Sequence, residues 1–359
     1  MSESLISLII PTYNEKDNIK PLVERIARTF ARQKYEILIV DDNSKDGTVE
    51  IAARLAEIYP VKVLVRKRER GLATAVLHGI NYAQGNIIGV MDADLQHPPE
   101  VNAALLRALE NGADMAIASR YVPGGGCPNW GLVRRIISRG ALTLAHIFLP
   151  STRKVKDPMS GFFMFKREGM EGVEFKPFGY KILLEMLVMG KFRNVVEVPF
   201  IFEDRSSGRS KMKARQQIEY LRHIFSLMQR KGELVRFLKF VGVGLSGVVV
   251  NLGLYALLTR VFGLYDILSQ AISVEASIVS NFTLNDFFTF SDRRNVRGNN
   301  FLQRLLKFNL VSLVGYGLNL GIFALFTRVF GVYDIISILI AIVVVMLWNY
   351  ILSNFWTWR

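Results

Sequence analysis

The sequence predicts two unlike units: an α/β unit with a mainly parallel sheet, then an all-α transmembrane unit of four helices. Three observations carry this. Short apolar runs alternate with amphipathic helical runs from Met1 to Lys231. Long apolar stretches dominate from Gly232 to Arg359. That second region is also an internal duplication.

In the first unit, Leu5–Ile10, Glu36–Val40, Val61–Val65, Ile87–Met91 and Met115–Ala118 read as buried strands. Lys16–Gln33, Thr48–Ile58, Leu72–Ala83 and Pro99–Glu110 read as the helices between them. A strand, a crossover helix and another strand make a parallel pair, so the sheet is expected to be covered on both faces. Ligands of such sheets bind beyond the carboxyl ends of the strands. Polar residues gather there: Pro11-Thr12-Tyr13-Asn14-Glu15 after the first strand, Asp41-Asp42-Asn43-Ser44 after the second, and Asp92-Ala93-Asp94-Leu95-Gln96-His97 after the fourth. Helix capping explains any one such loop, and Asp46 and Asn18 fit that plainer role. Three at corresponding strand ends indicate a convergent site.

In the second unit, Arg236–Leu258, Ile267–Phe290, Leu305–Phe326 and Ile335–Trp356 are each long enough to cross a bilayer, which takes about 20 residues. Shifting Arg236–Phe290 by 68 positions lays it on Arg304–Trp358 without a gap, with 26 identities in 55 positions. Each copy holds two spans, so the repeats are parallel. Arg230, Lys231, Arg236 and Lys239 precede the first span, and Arg293, Arg294, Arg297, Arg304 and Lys307 fill the middle connection. By the positive-inside rule the N-terminal unit, the middle loop and the C-terminus lie in the cytoplasm of a multi-pass protein. Glu275, Asn251, Asn281 and Asn285 are polar residues within spans. They read either as a transport path or, more simply, as helix–helix hydrogen bonding, with Gly242, Gly244 and Gly247 allowing close packing.

The chain carries 45 Lys and Arg against 31 Asp and Glu, a net charge of +14 that favours phosphates of some kind. Part of the excess is the positive-inside charge. The single cysteine, Cys127, excludes an internal disulfide and fits a reducing compartment. Leu5–Ile10 is too short for a secretory signal and runs into Pro11. Leu132–Leu149 and Ser210–Lys231 are basic and amphipathic, and read as membrane-interface helices or as ordinary core-facing ones.

Ile9-Ile10-Pro11-Thr12-Tyr13-Asn14-Glu15, Val40-Asp41-Asp42-Asn43-Ser44 and Met91-Asp92-Ala93-Asp94 together resemble family 2 glycosyltransferases of the GT-A nucleotide-diphospho-sugar fold. Three later stretches narrow the resemblance: Arg134-Arg135-Ile136-Ile137-Ser138-Arg139-Gly140, Met159-Ser160-Gly161-Phe162, and Glu203-Asp204-Arg205-Ser206-Ser207-Gly208-Arg209-Ser210-Lys211. These are similar to polyisoprenyl-phosphate sugar synthases, above all dolichol-phosphate mannose synthases. The duplicated spans resemble the four-span GtrA-like membrane family.

A nucleotide diphosphate sugar needs its leaving diphosphate neutralised, which Mg²⁺ or Mn²⁺ does with oxygen ligands. If Asp92-Ala93-Asp94-Leu95-Gln96 is extended, alternate side chains point one way. Asp94 and Gln96 are then expected as metal ligands, with Asp92 as a third or just outside the ligand shell. His97 is not expected to ligate, because Pro98 turns the chain. The resemblance implies a nucleotide pocket of Pro11, Tyr13, Glu15, Val40, Asp42, Asp92 and Ala93. Arg205 and Lys211 sit in a Gly/Ser-rich segment that either closes over the phosphates or is a charged surface loop.

A lipid phosphate is already anionic at neutral pH and needs no general base; it needs positive groups to position it. Arg120, Arg134 and Ser138 suit that need and match the acceptor-phosphate residues of the resembled family. The expected activity is inverting transfer of mannose from GDP-mannose to dolichyl (polyprenyl) phosphate, giving dolichyl phosphate mannose, with Asp94, Arg120, Arg134, Ser138 and Arg205 in the reacting centre. UDP-glucose with a polyprenyl phosphate is a close variant of that activity. The same motifs also admit a processive polysaccharide synthase or a sugar-lipid flippase. The partners expected are a nucleotide sugar, a polyprenyl phosphate and the bilayer, with no nucleic acid.

Overall fold

A computed structural model describes residues 4–176, 179–203, 214–294 and 300–358. The chain divides into two compact units, Met1–Lys231 and Gly232–Arg359.

The first unit is a seven-stranded sheet flanked by helices, in the order β3-β2-β1-β4-β6-β5-β7. Its strands are β1 Ile6–Thr12, β2 Tyr35–Asp41, β3 Val61–Val65, β4 Ile87–Val90, β5 Met115–Ser119, β6 Phe163–Lys166 and β7 Val195–Pro199. The helices are α1 Lys16–Thr29, α2 Thr48–Leu55, α3 Leu72–Tyr82, α4 Val101–Glu110, α5 Leu132–Phe148, α6 Ile182–Met189 and α7 Ala214–Arg230.

All pairings are parallel except those of β6, which runs antiparallel to β4 and β5. The sheet is therefore mixed but mostly parallel; strands and helices go on alternating after β5, but β6 reverses direction. Central strands are buried on both faces, as in Ile6, Leu8, Ile9 and Ile10 of β1. That double burial explains why they read as continuous apolar runs rather than alternating ones. The parallel register pairs Thr12 with Asp41, which brings the ends of β1 and β2 to one edge of the sheet.

The second unit holds α8 Glu233–Arg260, α9 Asp266–Leu284, α10 Phe301–Ala324 and α11 Asp334–Leu352. π-Helical turns at Asn285–Thr289, Leu325–Val329 and Ser353–Thr357 extend the last three of these helices. Among the described residues three helices are long and apolar enough to cross a membrane: Glu233–Arg260, Phe301–Val329 and Asp334–Thr357. The expected span at Ile267–Phe290 is helical, but Ser269, Gln270, Ser273, Glu275, Ser277 and Asn281 dilute its apolar character.

The sequence duplication has a structural counterpart. A Cβ at Gly247 would collide with the Asn281 carboxamide, and one at Gly315 would stand 2.8 Å from Asn349 Oδ1. These are equivalent positions in the two copies, so each α-hairpin closes on a glycine–asparagine contact. Phe290 and Trp358 are also equivalent, and they stack on each other with ring centroids 4.4 Å apart. The two copies therefore meet at these rings. Beside them the buried Asp286 carboxylate accepts from Arg304 Nε at 2.8 Å and from Trp358 Nε1 at 2.8 Å.

Candidate active site

Three loops leave the carboxyl ends of β1, β2 and β4. Each contains one non-glycine residue with positive φ: Asn14 (55°), Asn43 (61°) and Leu95 (62°). Asparagine tolerates this conformation, but for leucine it costs roughly 1–2 kcal/mol. Burial of the Leu95 side chain in the core offsets that cost.

The left-handed turn corrects the expected geometry of the carboxylate run. Residues 93–97 are a series of bends, so strand alternation does not align Asp92, Asp94 and Gln96. The turn nevertheless brings all three into one cavity of about 1260 Å³. Asp94 Oδ1 accepts the Gln96 N–H at 3.2 Å. Gln96 Nε2 donates to the Glu203 carbonyl at 3.1 Å, which turns the amide oxygen end of Gln96 away from that bond.

His97 is a prop. Its Nδ1 accepts the Asp92 N–H at 3.1 Å, and its ring stacks on Phe162. Burial pushes its pKa down to about 4, with the positive charges of Arg120 and Lys181 adding to the effect against the carboxylates of Asp94 and Asp157. The ring is therefore neutral at physiological pH. Gly161 closes the same corner: a Cβ there would lie 3.2 Å from Asp92 Oδ2 and 3.3 Å from His97 Cε1. This close approach accounts for glycine in Met159-Ser160-Gly161-Phe162.

Arg120 follows β5. Its Nε donates to Asp157 Oδ2 and its Nη2 to Asp157 Oδ1, both at 2.8 Å. Burial works against the guanidinium charge, but the Asp157 hydrogen bonds and charge hold its pKa above the ordinary arginine value. The rings of Tyr121, Trp130 and Phe202 surround it at 5.2–5.7 Å. Arg134, on the first turn of α5, lies 4.1 Å over the Trp130 ring. One turn further on, Ser138 Oγ is 2.8 Å from Tyr121 Oη. Arg120, Arg134 and Ser138 line the same cavity as Asp92, Asp94 and Gln96.

Lys181 also lines this cavity, and sequence reasoning missed it. Its Nζ donates to the Met159 carbonyl at 2.9 Å. Burial, reinforced by Arg120, pushes the ammonium pKa down to about 8, against the pull of Asp157 and Asp92. Its only trace in the sequence is a lone lysine ahead of the apolar run Ile182–Met189, which does not separate a site residue from a solvated helix start.

Of the residues expected in the nucleotide pocket, Asp92 lines this cavity, whereas Pro11, Tyr13, Glu15, Val40 and Asp42 lie at the ends of β1 and β2, outside its lining. Pro11 and Val40 are register partners. The Arg70 guanidinium covers the Tyr13 ring at 5.0 Å. Glu15 precedes α1 and accepts from Asn18 through both its backbone carbonyl and its carboxylate. Asp46 accepts from the Thr48 and Lys16 amides. Ala93 is buried between the two aspartates.

Asp42 is tied to a second residue that was missed, the buried Arg66. Asp42 Oδ1 accepts from Arg66 Nε at 2.8 Å and Oδ2 accepts the Gly71 N–H at 2.8 Å. Arg66 also donates to the Gly71 carbonyl and to Thr74 Oγ1, each at 2.9 Å. Gly71 and Thr74 line the cavity, so Asp42 and Arg66 shape one edge of it from behind. Arg205 and Lys211 lie outside the described residues.

No cluster of three or more His, Cys, Asp or Glu able to enclose a metal exists among the described residues. Asp92, Asp94 and Gln96 instead offer a few hard oxygen donors on an open cavity. That set suits an octahedral divalent cation whose other ligands come from a diphosphate and water.

Residues 7–173 match the glycosyl transferase family 2 domain, and residues 239–358 match the GtrA/DPMS transmembrane domain. The chain is 45% identical to a dolichol-phosphate mannosyltransferase of Pyrococcus furiosus over 353 residues, covering 98% of this chain and 99% of that protein. It is 39% identical over 250 residues to the dolichol-phosphate mannosyltransferase of Saccharomyces cerevisiae, covering 65% of this chain and 92% of that one. Among solved structures, mannosyl-3-phosphoglycerate synthase from Rubrobacter xylanophilus superposes with a TM-score of 0.51 at 20% identity, covering 64% of this chain and 76% of that one. Glucosyl-3-phosphoglycerate synthase from Mycobacterium tuberculosis, in complex with Mn²⁺, UDP and glucosyl-3-phosphoglycerate, superposes with a TM-score of 0.50 at 17% identity, covering 64% and 80%.

Proposed function

We propose the following site assignment for a chain that belongs to the family of dolichol-phosphate mannosyltransferases, a glycosyl transferase family 2 domain followed by a GtrA/DPMS transmembrane domain. The protein is a membrane-bound glycosyltransferase that moves mannose onto a polyprenyl phosphate. The donor is GDP-mannose and the acceptor a dolichyl-type lipid phosphate. The observation that carries this reading is one cavity in which the oxygen donors Asp92, Asp94 and Gln96 share space with the cations Arg120, Arg134 and Lys181.

Asp94 and Gln96 hold a divalent cation, Mg²⁺ or Mn²⁺, with Asp92 kept in place beside them by His97 and Gly161. When bound, that cation neutralises charge on the donor diphosphate. Pro11, Tyr13, Glu15, Val40 and Asp42 form the rim at which the nucleoside sits, and Ala93 passes its backbone beside it. Arg205 and Lys211, which lie outside the described residues, contribute further positive charge for the diphosphate.

Arg134 and Ser138 bind the acceptor phosphate, and Arg120 fixes its orientation through the Asp157 pair. Lys181 adds positive charge between the two phosphate groups. An acceptor phosphate oxygen attacks the anomeric carbon as the bond to the diphosphate breaks. The nucleoside diphosphate leaves and the configuration inverts. No proton has to be removed from the nucleophile, which fits a site built of cations.

In the membrane unit, α9 completes the first hairpin, with α8, as a fourth span. The excess of Lys and Arg before α8 and between α9 and α10 keeps the catalytic unit and both termini in the cytoplasm. The basic amphipathic helices α5 and α7 lie in the membrane interface; Leu132, Val133 and Ile136 of α5 are exposed beside Arg135 and Arg139.

The test supplies labelled GDP-mannose or UDP-glucose with a polyprenyl phosphate and Mg²⁺ or Mn²⁺, followed by lipid extraction. Metal-dependent label from GDP-mannose in a lipid bearing one sugar is the expected result. Label from UDP-glucose alone would move the donor assignment to that sugar nucleotide. Label only in long polymer, or none from either donor, would overturn the reading.

A further inference from the structure

α6 begins directly after Lys181, and one turn into it lies Glu185, a carboxylate buried to 0% exposure. It takes no part in the site assignment above. Its Oε1 accepts the Lys176 N–H at 2.7 Å and Arg230 Nη1 at 2.5 Å. Arg230 Nη2 also donates to the Glu174 carbonyl at 2.5 Å. The other oxygen, Oε2, stands 3.6 Å from Nε2 of His223, which is itself buried to 2% exposure. Among the described residues neither of those two atoms has a hydrogen-bond partner.

Burial opposes the charge on Glu185, yet the neighbouring His223 imidazole, the Arg230 guanidinium and the Lys176 amide overcome it and hold the carboxyl below its usual range. Both of these side chains, His223 and Arg230, belong to α7.

α7 is one wall of the cavity. Gln216, Ile218, Tyr220 and Arg222 line it, together with Ile137, Ser138 and Ala141 of α5. Tyr220 Oη donates to the Ala141 carbonyl at 2.6 Å, one turn beyond Ser138 on α5. Thus α7 is pinned at two places: to α5 through Tyr220, and to α6 through Glu185. Leu227 and Ile224 bury the apolar face of α7 between these pins. The acceptor end of the site, with Arg134 and Ser138, borders the first pin.

We propose that Glu185 is a positioning residue for the lipid-phosphate acceptor, fixing α7 as the wall of the slot between α5 and α7 without touching the substrate. The proposal rests on the acceptor assignment made above. Its physical basis is that a buried ion pair is costly to break, because each lost partner strands an uncompensated charge. Glu185 therefore holds α7 in one register, where packing of Leu227 and Ile224 alone would permit sliding. Displacement of a binding wall by about 1 Å costs up to roughly 100-fold in kcat/KM for the acceptor.

The experiment measures steady-state kinetics of the full-length Glu185→Gln protein in bilayers, varying GDP-mannose and polyprenyl phosphate separately. The acceptor KM is expected to rise between about ten-fold and about 100-fold, with the donor KM and the kcat at saturating acceptor changing less than about two-fold. Arg230→Lys keeps the charge but loses the fork, and should show the same split in milder form; it carries the test if Glu185→Gln does not fold. Tyr220→Phe, which releases the other pin, should reproduce the split as well. Loss of kcat with an unchanged acceptor KM, or kinetics equal to wild type in Glu185→Gln and Arg230→Lys, would overturn the proposal. Failure of the wild-type protein to label any lipid would instead sink the assigned reaction, so the two failures are distinguishable.

Discussion

Arg120 and Asp157 meet as a bidentate ion pair, with both side-chain contacts at 2.8 Å and the Asp157 carboxylate at 0% exposure. Asp157 also accepts the Arg120 backbone N–H at 3.1 Å. Its own N–H donates to Glu197 Oε1 at 3.0 Å, which ties the end of β5 to β7. Removing one partner of a buried pair leaves the other charged and alone, at about 3–5 kcal/mol. Asp157→Ala should lower the unfolding midpoint by that order and reduce transfer as Arg120 loses its orientation. Thermal unfolding and activity on the same preparation check it; wild-type stability would mean the pair holds nothing.

Asp94→Asn keeps the size of the side chain and removes its charge. Transfer should fall by at least about 100-fold, the scale on which loss of one electrostatic stabiliser is felt. The concentration of Mn²⁺ or Mg²⁺ needed for half-maximal rate should rise. A variant with normal metal dependence would exclude Asp94 as a ligand.

Lys181→Met separates stability from activity. Burial already disfavours the ammonium, whose pKa is pushed down to about 8. An apolar side chain of similar length should leave the unfolding midpoint at or above that of wild type. Transfer should nevertheless drop by about 100-fold if the cation stabilises phosphate charge. Loss of both together would make Lys181 a structural residue.

Arg134→Ala and Arg134→Lys test the acceptor. The guanidinium is stacked 4.1 Å over Trp130, a geometry an ammonium does not reproduce. Both variants should raise the acceptor KM, with alanine the more severe. Unchanged acceptor dependence in Arg134→Ala would remove it from the phosphate site.

The Glu185 cluster predicts the acid limb of stability. Its carboxyl is held below the ordinary value of 4.5, so its stabilising contribution is complete above that value. The contribution is lost as the pH falls through the lower, folded-state pKa. Arg230→Met removes one cause of the depression, so acid unfolding should begin at a higher pH than in wild type. Midpoints followed by circular dichroism between about pH 3 and pH 7 give the comparison; coincident curves would contradict it.

Much of the site was legible because the alternation of strand and helix in the first 120 residues leaves few choices. Parallel strands send their carboxyl ends to one edge, so Asp41-Asp42 and Asp92-Ala93-Asp94 had to converge. Less legible was β6, because Phe163–Lys166 is only four residues long and its direction depends on the long connection through α5. The second helix of the first hairpin shows the limit of repeat reasoning. Its position follows from the duplication, but Ser273, Glu275 and Ser277 of α9 have the apolar counterparts Ala341, Val343 and Val345 in the copy, so the two hairpins differ in apolar character.

The sequence by itself determined which residue types stand at the strand ends, that a duplicated apolar region follows, and that no base is needed if the acceptor is a phosphate. These follow from local periodicity and from chemistry that does not depend on the neighbours. Only the tertiary structure decided that Leu95 turns left-handed, so that bends rather than an extended strand carry Asp92, Asp94 and Gln96 into one cavity. It also decided that Arg66 stands behind Asp42, that Asp157 holds Arg120, that Lys181 completes the cationic side and that Glu185 pins α7. Each of these joins residues between 24 and 45 positions apart or recruits a side chain whose local sequence is ordinary. A buried charge is stable only with its partner, and that partner is supplied by the fold rather than by the neighbouring sequence.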